Sequence, residues 1–186
     1  MPAVSVRRRV TADEFMRMVE AGVFANGEQV ELLDGEMVVM SPEGGDHADV
    51  VGHLTTMLVL AYAPSGYTVR PGTTTRAGSL SVPQPDFAVV PQTARGILEV
   101  ARALLLVEIS VSSLRKDLGK KRSLYARAGA PAYWVVDVRA REVRVFEHPQ
   151  GDDYTKTRVA RRGDRLALPA IDREIAVDEI FAPFEQ

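Results

Sequence analysis

The segment Leu104-Leu-Leu-Val-Glu-Ile-Ser110 is apolar except at Glu108 and at its last residue. A short, nearly continuous apolar run is typical of a β-strand that is covered on both faces of its sheet. Glu108 therefore stands where an unpaired carboxylate would cost several kcal/mol or be forced to take up a proton. We predict that a metal, a cation or hydrogen-bond donors satisfy this carboxylate, and a purely structural ion pair is the alternative.

The segments on either side of this strand predict a central sheet flanked by helices. Ser112 or Ser113 is suited to cap a helix after the strand, and Gly129 and Pro131 are suited to end it. Further strands are predicted near residues 67–71, 86–90, 133–136 and 143–147, with edge strands from residue 154 and a short terminal helix near 178–181. Strands and helices that mix around one sheet define an α/β (α+β) fold with a central mixed sheet.

The N-terminal part carries capping and turn signals. Thr11 and Glu14 have the spacing of a capping box, which predicts a first helix over about residues 12–21. Asp34-Gly35 stands between two arms rich in β-forming residues and predicts a hairpin. Asp46 is suited to cap a further helix over about residues 47–61.

The composition indicates a folded chain of modest size. We expect its 186 residues to form one domain over 1–186, with a core at about 11–150. The chain has no cysteine, which excludes disulfides and thiolate chemistry. Its first residues, MPAVSVRRRV, lack the apolar stretch of a secretory signal, and no apolar run is long enough to span a membrane. We therefore expect a cytoplasmic protein without a membrane partner.

Asp86 follows Pro85 and opens one of the predicted strands. Taken alone, an aspartate at a strand mouth is an ordinary turn residue. Together with Glu108 in the next predicted strand, it supplies two carboxylates from neighbouring strands. Two carboxylates are a sufficient protein contribution for Mg²⁺, which keeps several water ligands and also takes phosphate oxygens.

Lys121 is the cation best placed to meet these carboxylates. The helix after Ser113 has a core-facing stripe formed by Leu114, Leu118, Tyr125 and Ala128. At about 100° per residue, Lys121 falls in the middle of this stripe. A lysine rarely faces a core without a counter-charge, so we expect it to reach Glu108, with Asp117 as a further partner one turn earlier. The alternative is a side chain that bends past the sheet edge to solvent.

Two weaker features complete the set of candidates. Glu31 lies in the first arm of the hairpin and faces either the same cleft or water. The segment from Arg115 to Arg127 holds six basic residues and one acidic residue, so a local basic stripe could follow phosphates although the whole chain carries a net charge of −2. A solvated helix face is the alternative. The candidate nucleic-acid contacts are Arg115, Lys116, Lys120 and Arg122.

The order and spacing of these motifs resemble the Uma-type family of bacterial restriction endonucleases, within the PD-(D/E)xK nuclease superfamily. The match covers about residues 11–147 and includes Glu31-Leu-Leu-Asp-Gly-Glu36 and Ser41-Pro42 with His47. Its central motifs are Pro85-Asp86, Glu108-Ile-Ser-Val-Ser-Ser113, Asp117-Leu-Gly-Lys-Lys121, Leu124-Tyr125, Ala128-Gly129-Ala-Pro131 and Tyr133-Trp-Val-Val-Asp137.

The resemblance implies a restriction-endonuclease-like fold and a catalytic set of Asp86, Glu108, Lys121 and Glu31. Asp86 and Glu108 would bind Mg²⁺ or Mn²⁺, and Glu31 would be an additional acidic residue near the metal. The chain departs from the superfamily signature at Ser110, where a lysine is usual, and the resemblance implies that Lys121 replaces it. The implied activity is hydrolysis of DNA by a metal-activated water, and a homodimer is implied because many such enzymes pair to cut both strands.

A non-catalytic module for nucleic-acid binding or protein interaction, built on the same fold, is the alternative function. The slightly acidic total charge favours it, whereas an intact Asp86, Glu108 and Lys121 favours the enzyme, because binding alone needs no buried carboxylate pair.

Overall fold

The computed structural model describes residues 8–24, 28–40, 42 and 44–184; Ser41 of the predicted Ser41-Pro42 motif lies outside them. Its helices are α1 (Ala12–Glu20), α2 (Gly45–Tyr62), α3 (Leu114–Lys116), α4 (Arg122–Arg127) and α5 (Val177–Ile180). Its strands are β1 (Val30–Leu33), β2 (Glu36–Val39), β3 (Tyr67–Pro71), β4 (Thr75–Arg76), β5 (Phe87–Pro91), β6 (Leu98–Glu99), β7 (Leu105–Ser110), β8 (Ala132–Asp137), β9 (Glu142–Gln150), β10 (Asp153–Ala160), β11 (Arg165–Ala167) and β12 (Glu174–Ala176).

Six strands form one mixed sheet in the order β10-β9-β8-β7-β5-β3. Strands β7 and β8 are parallel, and the other neighbours in this sheet are antiparallel. All residues of β7 and β8 are buried, as expected for strands covered on both faces. The predicted fold class, a central mixed sheet flanked by helices, is confirmed.

The sheet separates two hydrophobic cores. On one face, α2 packs through Leu54 and Leu58 against Val107 and Trp134, and α5 joins the same core. On the other face, α4 packs through Leu124 and Tyr125 against the alternate residues of the same strands, which include Leu106. Because side chains alternate along a strand, Glu108 points to the same face as Leu106, which is the α4 face.

The hairpin β1–β2 has the predicted turn. Asp34 and Gly35 both have positive φ, 54° and 79°, which a two-residue type I′ turn requires. The four residue pairs of the hairpin run from Val30 opposite Val39 to Leu33 opposite Glu36. Glu31 lies in β1, in which Glu31, Leu32 and Leu33 are buried.

Two capping predictions need correction. The N-cap of α2 is Gly44, and Asp46 lies inside the first turn, because the helix begins two residues earlier than predicted. Ser113 is the N-cap of α3, but its hydroxyl makes no capping bond and instead donates to the Asp117 carboxylate. The capping box at Thr11 and the first helix are confirmed.

The helical segment after β7 contains a π-helical turn, Asp117–Lys121, between α3 and α4. The sequence pattern predicts a regular α-helix here, and that prediction is wrong at this turn. A π-turn widens the helix and is frequent at functional sites. None of the helices in the described part of the chain is long and apolar enough to cross a membrane.

Candidate active site

Asp86 and Glu108 lie side by side where β5 and β7 meet. Phe87 pairs with Val107 in the antiparallel ladder, so the residues that flank this pair, Asp86 and Glu108, are adjacent across the two strands. Oδ2 of Asp86 accepts a hydrogen bond from the main-chain N–H of Ile109 at 2.5 Å. This bond fixes the Asp86 carboxylate beside Glu108, and the predicted juxtaposition of the two acidic residues is confirmed.

Lys121 reaches Glu108 as predicted. Its side chain is 1% exposed, and its Nζ lies 2.8 Å from Oε1 of Glu108 and 2.8 Å from Oε1 of Glu31. The alternative of a lysine that bends past the sheet edge to solvent is therefore wrong. A buried ammonium between two carboxylates has the counter-charges that a core position demands.

Glu31 is buried rather than solvated. In addition to Lys121, its carboxylate accepts a hydrogen bond from the main-chain N–H of Gln84 at 2.8 Å and lies 3.5 Å from Nζ of Lys116. The alternation expected along the first hairpin arm is absent, since Leu32 and Leu33 are buried as well. Glu31 and Glu108 are linked by the Lys121 ammonium, to which both carboxylates bind.

Asp117 does not form the ion pair with Lys121 that the helical spacing suggested. Its Oδ2 accepts hydrogen bonds from the hydroxyls of Ser110, at 2.6 Å, and Ser113. Ser110 occupies the position where the superfamily signature has a lysine. Oδ1 of Asp117 is buried and accepts no hydrogen bond from the described residues. The carboxylate therefore adds negative charge to the site without a direct cation.

Two further side chains, Tyr125 and His47, belong to the site, and they are not among the candidate site residues predicted from the sequence. The Tyr125 hydroxyl donates to Oε1 of Glu108 at 2.7 Å, and Tyr125 is fully buried. His47, in the first turn of α2, is 8% exposed, with Nε2 3.4 Å from Oδ1 of Asp86. Tyr125 follows Lys121 by four residues, so its place on the same helix face was a usable signal. The contact of His47 depends on how α2 docks on the sheet.

The site holds more negative than positive charge. Burial raises the pKa of Glu108 well above its ordinary value, Lys121 opposes that rise, and Asp86, Asp117 and Glu31 add to it. Burial alone would lower the pKa of Lys121, but the carboxylates of Glu108, Glu31 and Asp117 raise it overall. Lys121 is therefore a firmly held ammonium, and its single charge does not balance the surrounding carboxylates.

The site opens into a cleft of about 460 Å³. The cleft is lined on the sheet and α4 side by charged residues: Asp86, Glu108, Asp117 and Lys121. It is also lined by Val38 and Val39 of the hairpin and by Met40, which follows it. Within the described ranges, no group of three or more His, Asp or Glu side chains has the arrangement of a complete metal cage.

The four predicted basic contacts do not form one surface. Lys116 lines the cleft, and Arg115 is exposed beside it. Lys120 instead pairs with Glu36 of the hairpin at 2.8 Å. Arg122 donates to both carboxylate oxygens of Asp153 in β10. Its guanidinium carbon lies 4.7 Å from the centre of the Phe146 ring in β9.

The architecture resembles that of solved structures. The crystal structure of a "putative nuclease belonging to DUF820" from Anabaena variabilis ATCC 29413 superposes with a TM-score of 0.74 at 16% identity, and the match covers 93% of this chain and 98% of that one. The type IIG restriction endonuclease BpuSI gives a weaker match, with a TM-score of 0.42 at 18% identity over 78% of this chain and 17% of that one. No curated protein shows significant sequence similarity to the chain. The first of these similarities establishes the fold.

The sequence also matches a family directly. The model of the Uma2 family, described as "Putative restriction endonuclease", matches residues 12–178. The chain therefore belongs to the Uma2 family. The resemblance predicted from the motifs is confirmed.

Proposed function

We propose that this protein is a metal-dependent endonuclease that hydrolyses phosphodiester bonds of DNA. The observation that carries the proposal is the excess of carboxylates around one buried ammonium, at the floor of a solvent-open cleft. A purely structural site would be expected to balance these charges, because uncompensated buried charge is strongly destabilising. The family description, "Putative restriction endonuclease", supports nuclease activity and a DNA substrate.

The residues present fit a divalent cation. Asp86 and Glu108 provide adjacent carboxylates, and Glu108 uses only Oε1 for its hydrogen bonds to Lys121 and Tyr125. Two carboxylates suit Mg²⁺ or Mn²⁺ if water and phosphate oxygens complete the coordination. Bound there, the ion would lower the pKa of a coordinated water and neutralise charge on the phosphate.

The remaining residues act on the phosphate and on one another. Lys121 places a fixed positive charge at the floor of the cleft, where it stabilises negative charge that develops on phosphorus oxygens. Glu31 also binds that ammonium, at 2.8 Å, so its role is to position Lys121. Arg115 and Lys116 are the basic residues placed to contact the DNA backbone, a salt-sensitive and sequence-independent interaction. A homodimer that acts in the cytoplasm remains a prediction, and the mass of the particle in solution tests its first part.

The direct test is nicking of supercoiled plasmid DNA by the purified protein with Mg²⁺ or Mn²⁺, with and without a chelator. Glu108→Gln removes the charge of one proposed metal ligand and should abolish nicking. Glu142→Gln is the matched control, because Glu142 is also buried and ion-paired but pairs with Arg144 and Arg161 away from the cleft. This control should cut as fast as the unmodified protein.

Other outcomes separate the alternatives. Nicking that survives in Glu108→Gln at the unmodified rate indicates a contaminating nuclease and refutes the assignment of the site. DNA binding without cleavage under either metal supports the non-catalytic module instead.

A further inference from the structure

Oε1 of Glu108 receives two hydrogen bonds from the same helical segment. Lys121 donates at 2.8 Å and Tyr125 donates at 2.7 Å. No group in the described part of the chain donates to Oε2. The two oxygens of this carboxylate therefore have distinct surroundings: Oε1 is held by two donors, and Oε2 is available in a residue that lines the cleft together with Asp86.

Tyr125 is a rigid donor. Its side chain is fully buried on α4, and its ring packs edge-on against Tyr133, with ring centres 5.0 Å apart. A tyrosine ring has few rotatable bonds, and the ring packing and the hydrogen bond together hold the hydroxyl against Oε1 of Glu108.

Lys121 alone would not select one carboxylate oxygen. Its ammonium is shared with Glu31, and an ammonium group can donate equally well to either oxygen of the Glu108 carboxylate. The fixed hydroxyl of Tyr125 removes this freedom, because only one oxygen of Glu108 meets both donors at once. The rotation of the Glu108 carboxylate is thereby set.

We propose that Tyr125 is a positioning residue that orients Glu108, so that Oε2 is the oxygen offered to the divalent cation. This inference rests on the proposed function of the site. Carboxylates that bind metals are themselves held by hydrogen bonds, and loss of such a partner typically lowers metal affinity or activity by about 10- to 100-fold. Tyr125 acts on the metal through Glu108 and does not touch it.

The test compares Tyr125→Phe with Tyr62→Phe by calorimetric titration with Mn²⁺. Tyr62 is an equally buried tyrosine whose hydroxyl donates to the Pro169 carbonyl at 3.2 Å, away from the cleft. Tyr125→Phe should weaken Mn²⁺ binding by about 10- to 100-fold, and Tyr62→Phe should leave it unchanged. The Mn²⁺ concentration for half-maximal plasmid nicking should rise by the same factor in Tyr125→Phe, with a smaller effect on the rate at saturating Mn²⁺.

The outcomes distinguish this inference from the proposed function. Unmodified protein that binds Mn²⁺ and cuts DNA, with unchanged affinity in Tyr125→Phe, overturns the inference alone. Equal losses in both variants also overturn it, since they reflect general destabilisation, and so does a Tyr125→Phe chain that fails to fold. Unmodified protein that neither binds Mn²⁺ nor cuts DNA overturns the proposed function, and the inference with it.

Discussion

Replacing Lys121 with methionine should destabilise the protein far more than the same change at Lys120. Methionine keeps the length of the side chain but removes the ammonium, which leaves the buried carboxylates of Glu31 and Glu108 without their shared cation. Removing one partner of a buried ion pair typically costs about 3–5 kcal/mol. Lys120 pairs with the exposed Glu36, and such surface pairs contribute about 0–1 kcal/mol.

Urea unfolding followed by tryptophan fluorescence measures both variants, because Trp134 is the single tryptophan of the chain and is buried in β8.

The cost of Lys121→Met in free energy of unfolding should also shrink as the pH falls. Burial already raises the pKa of the Glu108 carboxyl in the folded protein, and the loss of Lys121 raises this pKa further. Because a raised folded-state pKa favours folding at low pH, the stability of the Lys121→Met variant is lost as the pH increases through this pKa and is regained as the pH falls below it. Equal costs for the two lysine variants at neutral pH would refute the ion-paired role of Lys121.

Three further predictions concern the turn, the helix and the basic residues. Gly35→Ala should destabilise the protein by about 1–2 kcal/mol or more, because Gly35 has φ +79° and a Cβ would lie 2.5 Å from Arg9 Cβ. Gly52→Ala should stabilise the protein by about 0.5–1 kcal/mol, because Gly52 is in the interior of α2 and a Cβ there would meet no other atom within 4 Å. The urea midpoints of unfolding measure the effects of both glycine substitutions. Lys116→Ala should weaken DNA binding and reduce the slope of log K against log salt by about 0.9, whereas Arg122→Ala should leave that slope unchanged because Arg122 faces Asp153.

The sequence predicts the fold well where local patterns and burial agree. The apolar run from Leu105 to Ser110 is a fully buried central strand, and Asp34-Gly35 forms the expected turn. Lys121 could be placed because a helix with a 3.6-residue period puts it in an apolar stripe, where only a buried counter-charge is compatible with it. Glu108, one strand earlier, supplies that counter-charge.

The rest of the site depends on tertiary contacts that no local pattern encodes. Glu31 is buried because the hairpin folds over the helical segment after β7, where Lys116 at the end of α3 and Lys121 in the π-turn reach it. The π-turn itself breaks the regular period, and Asp117 turns to two serine hydroxyls instead of to Lys121. The basic residues of this helical segment diverge for the same reason, since their direction depends on which acidic neighbours the sheet and the hairpin present.

The most direct measurement is an anomalous-difference map from a crystal of the protein soaked in Mn²⁺. We expect a peak within bonding distance of one oxygen of Asp86 and of Oε2 of Glu108. A map without a peak between these two side chains, or with Mn²⁺ bound only elsewhere on the surface, would contradict it.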